Sequence, residues 1–134
     1  MVLVIRRETF SASHRLYNPM LSEEKNLELF GKCANPNGHG HNYVLHVTVS
    51  GEPSEDTGYV IDMKKLKEII QNEIISKVDH KHLNYDVEFL SGVIPTTENI
   101  AKVFWNILKD KTGGARLHSI RLQETENNSV EYRG

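Results

Sequence analysis

Imidazole and thiol groups are the side chains that most readily ligate metals or exchange protons near neutral pH, and this chain of 134 residues has seven histidines and one cysteine. In the stretch "GKCANPNGHGHNYVLHVTV", from Gly31 to Val49, the sole cysteine, Cys33, precedes His39 and His41, which stand one glycine apart. On an extended segment residues two apart point the same way, so both imidazoles face one side, as two ligands of one ion must. A third candidate is His14, which closes the face formed by Phe10 and Ala12 on an N-terminal strand. If that strand pairs beside the one beginning at His39, three imidazoles meet at one end of a sheet. Three neutral nitrogen donors with an open fourth position describe a catalytic zinc site, whereas a structural site is closed by four ligands. Spacing alone leaves a second reading open, in which His39 and His41 are ordinary surface or core residues.

Cys33 has no partner for an internal disulfide, so it reads as a small buried hydrophobe, a fourth zinc ligand or a working thiol. Its loop of Gly, Pro and Asn suits an exposed thiol. A thiol acts as a base only where something holds its thiolate, and "VDHKHLN" offers Asp79 and His80 directly after a helical pattern. Such a Cys, Asp and His set would serve proton transfer at neutral pH. Taken singly, Asp79 also reads as a turn residue and His82 as a solvated neighbour. In "LHSIRLQETE" the face bearing His118, Ile120 and Leu122 continues to Glu124, which is either a solvated strand end or an acceptor for a ligand inserted there. A planar group with a ring N–H beside an exocyclic amine, as pterins carry, matches both oxygens of one carboxylate.

The elements that must carry these residues follow from periodicity. Val2 to His14 alternate loosely and His41 to Gly51 clearly, with His41, Tyr43, Leu45, Val47 and Val49 on one side and Asn42, Val44, His46, Thr48 and Ser50 on the other. "DMKKLKEIIQNEIISKV" places Met63, Leu66, Ile69, Ile70, Ile74 and Val78 at helical spacing behind Asp62 as N-cap. "TTENIAKVFWNILKD" does the same with Ile100, Val103, Phe104, Ile107 and Leu108 behind Thr96 or Thr97, and a short helix fits Ser22 to Leu29. The C-terminal "ARLHSIRLQETENNSVEYRG" reads as two strands turning at Asn127 and Asn128. The expectation is one α+β domain over residues 1–134, a four-stranded antiparallel sheet with two helices packed on one face. Such a sheet leaves its edges and polar face open, so pairing between subunits is expected.

Composition narrows the function. A net charge of −2 with 25% charged and 38% hydrophobic residues gives no basic field, so no nucleic-acid partner is expected. No apolar run reaches the roughly 20 residues of a membrane span, and "MVLVIRRETF" is charged too early for a secretion signal. The expectation is a cytoplasmic protein with no membrane partner.

Five ordered segments, "FSASHRL", "GKCANPNGHGHNY", "DHKHLN", "PTTEN" and "ETENN", give the chain a resemblance to the 6-pyruvoyl-tetrahydropterin synthases, a branch of the tunnelling-fold family. The resemblance implies that His14, His39 and His41 bind zinc (Zn2+), that Cys33 is the general base supported by Asp79 and His80, and that Glu124 anchors a pterin with help from Thr96 and Thr97. It further implies a lyase that converts 7,8-dihydroneopterin triphosphate to 6-pyruvoyl-tetrahydropterin with loss of triphosphate, in tetrahydrobiopterin biosynthesis. The implied assembly is a homohexamer, a dimer of trimers whose sheets close into twelve-stranded barrels with active sites between subunits. No glycine-rich dinucleotide motif is present. Two alternatives belong beside this reading. One is the 6-carboxy-tetrahydropterin synthase of the queuosine route, where the spacing from Cys to HGH is typically three residues against the five between Cys33 and His39. The other is a non-catalytic zinc-stabilised oligomer, since fold alone does not specify function. No pattern selects the groups that would meet the triphosphate among Arg6, Arg7, Arg15, Lys25, Lys32 and Lys81.

Overall fold

Two long alternating segments form the frame in a computed structural model that describes residues 1–134. Strand β1 (Val2–His14) pairs antiparallel with β2 (His39–Gly51) along its whole length, from Val2 opposite Gly51 to His14 opposite His39. Strand β4 (Arg116–Thr125) lies on the other side of β2, and β5 (Asn128–Tyr132) pairs with β4. The expected four antiparallel strands are therefore present. A fifth, β3 (Lys81–His82), is only two residues long and pairs parallel to Ala12 and Ser13. The sheet order is β3-β1-β2-β4-β5, open at both edges.

One face of the sheet makes the core. Phe10, Tyr43, Leu45, Val47, Ile120 and Leu122 are buried on it, and Phe10 stacks on Tyr43 with ring centroids 4.8 Å apart. On the opposite face of β2, Thr48 and Ser50 are nonetheless buried, because the central strand is flanked on both sides; Thr48 stands between Ile5 and Ser119.

The helices cover the core face. Helix α2 (Met63–Ile70) starts at Asp62, whose carboxylate accepts the Lys64 N–H, and continues through a π turn, Gln71–Ile75, into α3 (Ser76–Val78). The π turn explains an oddity of the pattern: Ile70, Ile74 and Val78 are spaced four apart, more than the α-helical 3.6, and the wider turn keeps all three on the buried side. Met63 departs from its expected place in the apolar stripe and is exposed, because as the first helical residue it precedes the contact with the sheet. Helix α4 (Thr97–Leu108) is capped by Thr96, whose hydroxyl accepts the Asn99 N–H, and buries Ile100, Ala101, Phe104 and Leu108. The short helix α1 (Glu23–Phe30), capped by Ser22, runs directly into a 3-10 turn, Gly31–Ala34, that holds Cys33. The β4–β5 turn falls on Glu126 and Asn127, one residue earlier than expected, and Asn128 already pairs with Thr125. No helix is long and apolar enough to cross a membrane.

Candidate metal centre and neighbouring cleft

The β1–β2 register determines where the imidazoles meet. His14 is cross-strand from His39 and Ala12 from His41, so all three rings emerge at one end of the core face. The Nε2 atoms of His14 and His39 are 3.1 Å apart, and one ligand nitrogen from each of the three lies within 4.8 Å of the others. Tetrahedral coordination at about 2.0–2.1 Å needs nitrogens roughly 3.3 Å apart, so small ring rotations suffice.

Burial prepares His14 and His41 as neutral donors. His14 is buried, and its Nδ1–H donates to the Pro95 carbonyl at 2.8 Å, which leaves the Nε2 lone pair directed into the cluster. Tyr43 Oη lies 3.3 Å from the same Nδ1. Burial pushes the His14 pKa below its usual value, opposed by the Pro95 hydrogen bond. Burial also lowers the His41 pKa, while Glu124 pulls it up. His41 Nε2 is buried with no hydrogen-bond partner, since Glu124 at 3.8 Å is beyond hydrogen-bonding reach. An unpaired buried nitrogen is costly unless a cation occupies its lone pair. The donor set therefore fits a metal ion.

Glycine permits this packing. Gly38, just before the first histidine of the HGH pair, has φ +72°, and a Cβ there would sit 2.7 Å from the His14 carbonyl oxygen. Only glycine combines that backbone with that approach.

Glu124 continues the Ile120 and Leu122 face, as its alternation indicates. Its Oε2 accepts the Thr97 hydroxyl at 2.8 Å and stands 3.8 Å from His14 Nε2. A cleft of about 520 Å³ opens beside it, lined in part by Leu16, Thr96, Thr97, Asn127 and Ser129. Thr96 reaches this cleft but spends its hydroxyl on capping α4. The carboxylate thus stands at a cleft wall next to the imidazole cluster, with lone pairs left to accept further hydrogen bonds.

Cys33 is half-buried, and its turn abuts the exit of β1: the Leu16 N–H donates to the Cys33 carbonyl at 2.8 Å. Asp79 and His80 are elsewhere, on the outer edge of β1. The Asp79 carboxylate accepts the Ser11 N–H at 2.9 Å and lies 3.0 Å from His80 Nδ1. The Ser11 hydrogen bond, foremost, and His80 hold the Asp79 pKa below the usual carboxylate range. His80 adopts φ +62° and its side chain is 82% exposed. No hydrogen bond joins this pair to Cys33 within one chain. The expected Cys, Asp and His set is thus split between the thiol turn and the far edge of β1.

Sequence reasoning missed Pro95, Tyr43 and Gly38. Tyr43 was legible as the next residue on the His39 and His41 face; Pro95 and Gly38 act through backbone atoms, which leave no side-chain signal. Among the basic candidates, Arg6 pairs with Glu8 at 2.8 Å and Lys25 with Glu28 at 3.5 Å.

Comparison with known proteins adds an independent line. A family model described as 6-pyruvoyl tetrahydropterin synthase matches residues 3–134. The 6-pyruvoyl tetrahydrobiopterin synthase of Pongo abelii is 49% identical over 131 residues, covering 98% of this chain and 90% of the relative. The structure of Caenorhabditis elegans 6-pyruvoyl tetrahydropterin synthase superposes with a TM-score of 0.93 at 40% identity, covering 99% of this chain and 95% of that one. A putative 6-carboxy-5,6,7,8-tetrahydropterin synthase of Archaeoglobus fulgidus is 38% identical over a shorter stretch, 95 residues and 71% of this chain.

Proposed function

We propose, from the premise that this chain belongs to the 6-pyruvoyl tetrahydropterin synthase family, that it is a zinc-dependent lyase of tetrahydrobiopterin biosynthesis. It converts 7,8-dihydroneopterin triphosphate to 6-pyruvoyl-tetrahydropterin and releases triphosphate. The observation that carries this reading is the convergence of His14, His39 and His41 beside the Glu124 carboxylate at a cleft.

His14, His39 and His41 would hold the zinc through ring nitrogens; burial disfavours the protonated forms of His14 and His41, and the Pro95 hydrogen bond orients the His14 ring. Zinc, when bound, supplies Lewis acidity that makes protons beside the substrate's side-chain oxygens removable. Glu124, steadied by Thr97, accepts the pterin's ring N–H and exocyclic amine and so fixes which side-chain carbon faces the base. Thr96 and Thr97 line the same end of the cleft. The Cys33 thiolate takes the proton. The redox change is internal to the substrate, so no external nicotinamide is required.

Asp79 and His80 serve a thiol other than their own chain's. The exposed His80 ring, aligned by Asp79 and without a further partner in its own chain, would then complete a site on a neighbouring subunit. The open edges at β3 and β5 support assembly into trimers whose sheets close into a twelve-stranded barrel, and two trimers make the homohexamer. Self-pairing would satisfy edge backbone groups that an isolated sheet leaves exposed.

Incubating purified zinc-loaded protein with 7,8-dihydroneopterin triphosphate tests the reading. The expected outcome is equimolar triphosphate and 6-pyruvoyl-tetrahydropterin. A 6-carboxy product would move the protein to the queuosine branch, and tight zinc without turnover would make it a non-catalytic oligomer.

A further inference from the structure

His14, a metal ligand, and Cys33, the thiol, belong to segments that meet at Arg15 and Leu16. The Arg15 N–H donates to Asn84 Oδ1 at 2.8 Å, and the Asn84 amide N–H donates to the Arg15 carbonyl at 2.8 Å, so one side chain grips both backbone polar groups of Arg15. On the opposite side, the Arg15 Nε–H donates to the Ala34 carbonyl at 2.9 Å, beside the Leu16 N–H to Cys33 carbonyl bond at 2.8 Å. The guanidinium carbon lies 3.8 Å from the centre of the Tyr17 ring, a cation–π contact that restrains the group.

The thiol turn needs such an anchor. Gly31–Ala34 is a four-residue 3-10 segment with no side-chain cap, followed by local bonds only, from Asn35 N–H to the Lys32 carbonyl and from Gly38 N–H to the Asn35 carbonyl. Short 3-10 turns have weak intrinsic stability. Apart from Arg15 and Leu16, nothing hydrogen-bonds this turn to the sheet. Asn84 sits in the same loop as β3 and follows the segment bearing Asp79 and His80. We propose that Arg15, clamped by Asn84, is a positioning residue that fixes the Cys33 turn relative to the metal ligand His14. Lysine cannot replace it, because the planar Nε–H that meets Ala34 exists only in arginine.

The inference rests on the reading of Cys33 as base, and the test separates the two. Because Cys33 is the only thiol, its rate of alkylation by iodoacetamide reports the turn directly in the zinc-loaded protein. In Arg15→Lys the expected results are a several-fold faster alkylation, kcat lower by roughly ten- to a hundredfold, KM within about twofold, and unchanged zinc content. Asn84→Ala should give the same split in milder form, and it stands in if Arg15→Lys folds poorly. Wild-type kcat and alkylation in both variants would overturn the proposal. A sharply raised KM with unchanged alkylation would also overturn it, and would make Arg15 a triphosphate contact. Cys33→Ala run alongside distinguishes the failures: turnover surviving there removes the base reading and the catalytic role of the bracket with it, whereas turnover lost there but kept in Arg15→Lys removes the bracket alone.

Discussion

Thr97 donates its hydroxyl to Glu124 at 2.8 Å, joining the first turn of α4 to the last residues of β4. That bond fixes the carboxylate without exhausting it, since each oxygen has a second lone pair. The same carboxylate stands 3.8 Å from both His14 and His41, so the carboxylate and the imidazole cluster share one wall. Glu124→Gln replaces a charged two-point acceptor by an amide with one acceptor oxygen. Losing one charge-assisted hydrogen bond costs about 1.5–3 kcal/mol, so affinity for biopterin should fall about ten- to a hundredfold while zinc content is unchanged. Calorimetric titration of the zinc-loaded variant checks it, and wild-type binding would return Glu124 to a solvated strand end.

The three imidazoles should act as one site. His14→Ala or His41→Ala is expected to bring bound zinc well below one ion per subunit and to abolish turnover, because two imidazoles hold the ion poorly. Elemental analysis after exhaustive dialysis measures this. Full occupancy in either variant contradicts the assignment.

Much of this site was legible because side chains alternate between the two faces of a strand. Alternation placed His14, His39 and His41 on one face, and carried Glu124 onto the Ile120 and Leu122 face, where it stands 3.8 Å from His14 and His41. Helix caps at Asp62 and Thr96 were legible because those side chains satisfy free N–H groups. Three kinds of feature were not. The two-residue β3 carries too short a pattern to register. The π turn at Gln71–Ile75 looked like an ordinary helix with loose spacing. The separation of Asp79 and His80 from Cys33 depends on where a turn docks on the sheet, which local sequence does not encode.

Gly38 gives a steric test. Gly38→Ala adds a Cβ 2.7 Å from the His14 carbonyl in a φ +72° backbone, so the loop must shift or strain by about 1–3 kcal/mol. Lower thermal stability and weaker zinc affinity are expected together. Differential scanning calorimetry of the metal-free protein and a competitive chelator titration read both, and two wild-type values would contradict the packing.

Stability of the metal-free protein should fall on acidification. Burial is the foremost cause lowering the pKa of His14, His41, His46 and His82, with Arg121 and Arg7 adding to the effect at His46. The unfolded chain, with histidines near the ordinary 6.5, then binds more protons than the folded one, so ∂ΔG/∂pH is positive. The stability is fully present above about 6.5 and is lost as pH drops from there through the folded values. Thermal midpoints recorded from about pH 7.5 to 5.5 should decline, with a shallower slope in His46→Gln. A midpoint that rises toward acid would contradict these shifts.

The central claim is that a metal held by three histidines works with a separate thiol base, and metal content and turnover of Cys33→Ala measured on one sample test it most directly. The account expects full zinc, wild-type affinity for biopterin, and conversion of 7,8-dihydroneopterin triphosphate slowed by about 10²- to 10⁴-fold, the usual loss on removing a positioned base. Zinc lost from that variant would make Cys33 a ligand, and undiminished turnover would leave the thiol without a part in the reaction.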